Sequence, residues 1–236
     1  SLFGRVNYNY MMRYMIMASF RYDGSSRFAK GNKWGFFPSV SLGWNIANEP
    51  FWENLKETVS MFKFRLSYGA LGNQNIGLYR YIPTLSYNTH VLNYPFGGRE
   101  TSMGYAITAF PSSDIKWETT VYKNIGVDIS LWNNKLELSA EAYIKNTSDM
   151  LSSRNISLAT GYNSSILVND GKLRTTGFEM QAIYHGKAGG LKYDLDLNLS
   201  HYKSVLKSMA NPDYLYEYGA LRTYVAVSYT HLRAHE

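Results

Sequence analysis

The segment GFFPSVSLGWNIANEPFW, residues 35–52, decides how the rest of the chain reads. One set of alternating positions carries Trp34, Phe36, Pro38, Val40, Leu42, Trp44 and Ile46; the other carries Phe37, Ser39, Ser41, Gly43 and Asn45. Successive side chains of a strand point to opposite faces, so this alternation predicts a strand with one apolar and one mostly small, polar face. A strand of about 12 residues is roughly twice the usual length in a soluble sheet. Something makes this strand long, apolar on one side and polar on the other.

The pattern recurs along the chain. Leu2, Val6, Tyr8 and Tyr10 alternate with Arg5, Asn7 and Asn9, then Tyr14, Ile16, Ala18, Phe20 and Tyr22 with Met15, Met17, Ser19 and Arg21. Phe62, Phe64, Leu66 and Tyr68 alternate with Lys63, Arg65 and Ser67. Trp117, Val121, Ile125, Val127, Ile129 and Leu131 face away from Glu118, Asn124, Asp128 and Ser130. Leu136, Leu138, Ala140, Ala142 and Ile144 oppose Glu137, Ser139, Glu141 and Lys145. Phe178, Met180, Ala182 and Tyr184 oppose Glu179 and Gln181, and Leu191, Tyr193, Leu195, Leu197 and Leu199 oppose Lys192, Asp194, Asp196 and Asn198. That makes eight candidate strands.

The links between them sort by length. Short ones lie at 11–13, 132–135 and 185–190, a middle-sized one at 47–60, and long ones at 23–33, 71–115 and 146–172. An antiparallel up-and-down meander places all the short links at one rim and all the long ones at the other. Outer-membrane barrels show that asymmetry, with short periplasmic turns and long external loops, whereas a soluble sandwich has no reason to sort its loops. Tyr14 and Tyr22 bracket one apolar stripe, and Trp34 and Trp44 the next. At about 3.3 Å per residue and a tilt near 40°, such stripes cover roughly 20–25 Å of membrane normal, close to the height of an outer-membrane apolar band. The long strand therefore crosses a bilayer with its apolar face toward lipid. Pro38 cannot donate to the ladder, which predicts a bulge there or pairing on one side only.

Composition agrees. Of the 236 residues, 16% are aromatic and 18% charged, with 21 Tyr against 11 Phe. Average chains carry about 25% charged residues. The formal net charge of +6 is spread thinly, without a basic run, so no nucleic-acid partner is expected. No Cys is present, which excludes disulfides, thiolate metal sites and a Cys nucleophile. No apolar run approaches the length of a membrane helix, which is compatible with membrane strands. No signal peptide is evident and the first residue is Ser1, so the chain reads as an internal piece of something longer. The last ten residues, VSYTHLRAHE (227–236), resemble a translated sequencing adapter. They are expected to be a non-native tail behind a barrel segment spanning 1–226.

Six ordered blocks carry a family resemblance: DGSSRF (23–28), KWGFFPSVSLGW (33–44), RLSYGALGNQNIG (65–77), IKWETTVYKNIGVDISL (115–131), NKLELSAEAYIKNTSDML (134–151) and NDGKLRTTGFEM (169–180). Together they resemble the barrel of the SusC/RagA family of TonB-linked outer-membrane proteins. The resemblance implies an all-β, antiparallel up-and-down transmembrane β-barrel segment, eight strands of a barrel of about 22. It also implies residence in the bacterial outer membrane, in contact with outer-membrane lipid. The implied partners are a SusD-like surface lipoprotein and TonB, the latter through an N-terminal region outside this chain. The implied substrates are oligosaccharides, glycans or peptides. Two further readings stay open: a passive porin or structural barrel, and a secreted carbohydrate-binding β-protein.

Site chemistry is sparse. Asp23 and Arg27 in DGSSRF suit a ligand loop or, alternatively, a structural turn. GALGNQNIG (69–77) lacks the Lys-Ser/Thr of a phosphate loop. DLDLN (194–198) spaces its acidic residues as a calcium loop does, but Leu199 stands where that loop needs Gly. Neither metal nor cofactor is expected, and no nucleophile motif points to an enzyme. Loop 71–115 is the best candidate contact region, with Tyr79, Tyr81, Tyr87, Tyr94 and Phe96 set among polar residues. Aromatic faces beside hydrogen-bonding groups suit sugar rings or peptide side chains, and equally suit packing of the loop on itself or on the lipoprotein.

Overall fold

All eight predicted strands form, and they lie side by side in one antiparallel sheet in the order of the chain. The protein is described here by a computed structural model covering residues 1–86, 94–96, 100–102, 106–109, 111–156, 159 and 165–209. The strands of the sheet are β1 (Leu2–Tyr10), β2 (Tyr14–Gly24), β3 (Trp34–Asn45), β4 (Val59–Asn73), β9 (Glu118–Leu131), β10 (Leu136–Ser148), β13 (Lys172–Ala188) and β14 (Leu191–Ser208). Between β4 and β9 the long loop carries two small ladders, β5 (Thr84–Ser86) with β8 (Ala106–Ala109) and β6 (Tyr94–Phe96) with β7 (Glu100–Ser102). Between β10 and β13 it carries a third, β11 (Leu151–Asn155) with β12 (Ser165–Asn169).

The sheet is open, with β1 and β14 at its edges. The connections after β1, β3, β9 and β13 leave from one rim, and those after β2, β4 and β10 leave from the other. Pro38 pairs on one side only: it lies opposite Phe20 of β2, and pairing with β4 begins at Ser39. Several strands run past their apolar stripes. β4 continues through Gly69–Asn73 and β13 begins at Lys172, because the ladder needs only backbone groups whereas the alternation ends with the apolar positions.

Register aligns the two faces across the whole sheet. Tyr8, Ile16, Leu42, Leu66, Ile125, Ala142 and Phe178 fall in one cross-strand row. Asn7, Met17, Ser41, Ser67 and Asn124 fall in a row on the opposite face. The apolar face is open to its surroundings, with Leu42 46% and Leu197 71% exposed, where a soluble sheet would bury it. Stacked aromatics mark both its ends. Tyr14 lies 6.5 Å from Tyr10 and 6.4 Å from Trp44 near one rim, and Tyr22 and Trp34 stack at 4.9 Å near the other. The polar face is the hollow one, with recesses of about 460 Å³ beside Lys63 and Arg65 and about 610 Å³ beside Arg21 and Trp117.

One facing expectation fails. Trp117 stands before β9 rather than on its outward stripe; it is 8% exposed and packs against Phe28 (5.1 Å between ring centroids) and Phe37 (5.3 Å). Its indole nitrogen donates to the carbonyl of Lys33 at 3.3 Å. Parity counted back from Val121 breaks because the ladder does not reach that far. The suspected tail, with His231 and His235, lies outside the described residues.

Candidate functional site

The hollow face is built around Arg65. Position 43 opposite it on β3 and position 126 opposite it on β9 are both glycine, which leaves room for the guanidinium. A Cβ at Gly126 would lie 3.2 Å from Nη2 of Arg65. That guanidinium reaches diagonally to β9, where Nη2 donates to Oδ1 of Asp128 at 2.9 Å, while Nε lies 2.8 Å from Oδ2 as an ion-pair contact without hydrogen-bond geometry. The Ser139 hydroxyl on β10 donates to the same Oδ1 at 2.9 Å. Glu141 sits 3.8 Å from Nη1 and accepts from Asn124 at 3.0 Å. Further along, Gln181 and Asn198 both donate to Asp196. The result is two bonded polar clusters on one wall, one over β4, β9 and β10 and one over β13 and β14, and among the described residues no cluster is fit for a metal ion.

The long-loop rim is organised differently, by an apolar knot. Phe28, Phe37, Ile76, Ile115 and Trp117 are buried together, with Leu151 and Leu167 packed against them. All three long connections thus meet above the sheet. Gly72 permits the approach of Phe37: a Cβ there would fall 2.0 Å from the ring. Arg27 ties two of the connections, donating through Nη1 to the carbonyls of Ile76 (2.5 Å) and Gln74 (3.4 Å). Ser25 accepts from the backbone NH of Arg27, the turn geometry that DGSSRF allows. Asp23 pairs with Arg21 at 2.9 Å and leaves its buried Oδ1 without a hydrogen bond. Tyr79, at φ 56°, is 57% exposed, and its ring lies 6.4 Å from that of Tyr81. Tyr94 and Phe96 lie on β6, paired with Ser102 and Glu100 of β7, while Tyr87 falls outside the described residues.

The short-link rim has its own clasp, which sequence reasoning missed. Arg13 donates through Nε to the Asn48 carbonyl at 2.9 Å, and Asn48 donates to the Met12 carbonyl at 2.9 Å. Glu49 accepts from the Trp44 indole at 3.0 Å. Hydrogen bonds from Tyr14 and then Trp44 hold its carboxyl below the usual range. The signal was present in NIANEP, but nothing in the alternation connects it to Arg13.

An open antiparallel sheet with an aromatic-banded apolar outside, a polar hollow and loops sorted by length is a section of a transmembrane β-barrel. The chain belongs to the TonB-dependent receptor β-barrel family, among its SusC/RagA-like members. The sequence model described as TonB dependent receptor-like, beta-barrel matches residues 1–230. The chain is 38% identical over 183 residues to the TonB-dependent receptor SusC of Bacteroides thetaiotaomicron, covering 76% of this chain and 18% of that protein. It is 40% identical over 179 residues to the TonB-dependent receptor P3 of Formosa agariphila, covering 76% and 17%. The structure of the RagAB peptide transporter superimposes with a TM-score of 0.76 at 25% identity, over 88% of this chain and 22% of that one. The chain therefore spans about a fifth of the length of these relatives. Members of this family are outer-membrane β-barrels, and among the described residues no helix is long and apolar enough to cross a membrane.

Proposed function

We propose that this chain is part of the barrel wall of an outer-membrane importer that takes up oligosaccharides or peptides together with a SusD-like surface lipoprotein. Energy would come from TonB, through a region outside this chain. The single observation that supports the reading most is the long-loop rim. There an apolar knot holds three connections in one body, and Tyr79, three residues past the buried Ile76, is left exposed. Tyr79 and Tyr81, with Tyr87, Tyr94 and Phe96 of the same loop, serve as the contact surface for sugar rings or peptide side chains. Arg27 ties the adjoining loop to it, and Asp23 beside that loop offers a carboxylate for ligand contact. Likeness to the RagAB peptide transporter supports the peptide arm, and likeness to SusC supports transport as such. Residues 1–226 act as barrel, and 227–236 contribute nothing to it.

The test is uptake by the full-length receptor carrying Tyr79→Ala and Tyr81→Ala, measured beside the amount of folded receptor in the outer membrane. Uptake of a peptide or oligosaccharide should fall several-fold while receptor abundance holds. Unchanged uptake of every substrate the wild type imports would remove the loop from the proposal.

A further inference from the structure

Charge is sorted between the two faces of the sheet in a way that transport through the hollow does not require. Every acidic side chain of the eight strands, namely Asp23, Glu118, Asp128, Glu137, Glu141, Glu179, Asp194 and Asp196, occupies a polar-face position. The apolar face carries no carboxylate on these strands, but it does carry cations, and they are grouped. On β9 the outward series Leu131, Ile129, Val127, Ile125 is interrupted by Lys123, with Val121 beyond it. On β13 the series Tyr184, Ala182, Met180, Phe178 passes through Thr176 to Arg174. On β14 the leucines from Leu191 to Leu199 give way to His201 and Lys203.

These positions are in register. Lys123, Ile144, Thr176 and Lys203 form one cross-strand row, and Arg174 is the diagonal neighbour of Lys203. Diagonal neighbours stand about 7–8 Å apart, and three strand spacings put Lys123 about 14–15 Å from Lys203. The side chains of Lys123, Arg174 and Lys203 are exposed and make no hydrogen bond or ion pair among the described residues. Cations on an apolar wall are costly unless they sit at its boundary beside anions. They lie toward the long-loop ends of β9, β13 and β14, with only Val121 and Val205 as apolar outward positions beyond Lys123 and Lys203. In an outer-membrane barrel those ends face outward.

From this placement we infer that Lys123, Arg174 and Lys203 form a docking site on the outside of the barrel for the phosphorylated headgroup of an outer-leaflet lipid. The three cations span a width suited to a headgroup with more than one phosphate, and Thr176 between them supplies a hydroxyl donor. The site deepens the outward orientation of the long-loop rim and rests on it.

The experiment uses the full-length receptor inserted into phosphatidylethanolamine vesicles that contain a minor share of either diphosphoryl or dephosphorylated lipid A. Lipid retained through detergent extraction is counted by mass spectrometry. The wild type should retain the diphosphoryl form preferentially, and the Lys123→Gln/Arg174→Gln/Lys203→Gln variant should lose that preference by about tenfold. Lys63→Gln, on the hollow face, should keep it. Equal retention of both lipids by the wild type, or full retention by the triple variant, would overturn the site. An equal loss in Lys63→Gln would reduce it to bulk charge and also overturn it. A wild type that fails to insert at all would overturn the membrane orientation itself, a result distinct from normal insertion without phosphate preference.

Discussion

Arg65 of β4 and Asp128 of β9 meet through two contacts, 2.8 Å at Nε and 2.9 Å at Nη2, across a diagonal of the polar face. The planar fork of arginine makes this possible, and lysine would offer a single point charge. Both side chains keep some exposure, 37% and 21%, so screening limits the pair to about 1 kcal/mol. In the full-length receptor, Arg65→Lys should lower stability by roughly that amount. A double-mutant cycle with Asp128→Asn, read from urea unfolding in detergent, should return most of that energy as coupling. A coupling near zero would show that the contact is incidental.

The faces make a sharper prediction. Leu42 lies in the middle of the apolar face of β3, and Ser41 beside it lies on the hollow face. Leu42→Arg should cost about 2–4 kcal/mol by placing a charge near mid-membrane, whereas Ser41→Arg should be far milder. The amount of heat-modifiable folded receptor reports both. Equal losses would show that the inside and outside are assigned wrongly.

Trp117 predicts a local effect rather than a global one. It is the ring on which Phe28 and Phe37 both close, so Trp117→Ala should cost about 3 kcal/mol in the loop knot. The membrane-spanning ladder of β9, starting at Glu118, does not depend on it. Limited proteolysis should cut residues 74–117 faster in the variant while the barrel stays intact. Arg27→Ala should act in the same direction more weakly, through the carbonyls of Ile76 and Gln74.

The short-link clasp predicts a pH effect. The Glu49 carboxyl is held below its ordinary value of 4.5 by hydrogen bonds from Tyr14 and Trp44. A depressed folded value means the contribution is fully present above the unfolded value and is lost as pH falls through the folded one. Stability of the wild type should therefore drop on acidification below about 4.5, and Glu49→Gln should flatten that limb. Melting temperatures measured from neutral pH down through this window decide it. Parallel curves for the two proteins would remove Glu49 as the cause.

Alternation by itself determined the eight strands, their outward stripes and the sorting of links between two rims, because a side-chain period of 2 and a polar interruption are local properties of the chain. The one-sided pairing of Pro38 followed from its missing NH in the same way. Tertiary structure alone decided the rest. Trp117 turns inward because Phe28 and Phe37, distant in sequence, offer it a ring-lined pocket. Arg27 spends donors on carbonyls nearly 50 residues away, and Arg13 closes on Asn48. Arg65 finds Asp128 because register, which no single strand encodes, slides β4 against β9 to that diagonal. Grouping of Lys123, Arg174 and Lys203 depends on the same registers, since three scattered cations become neighbours only when the strands between them are in place. Periodicity fixes which way a side chain points, and long-range pairing fixes what it meets there.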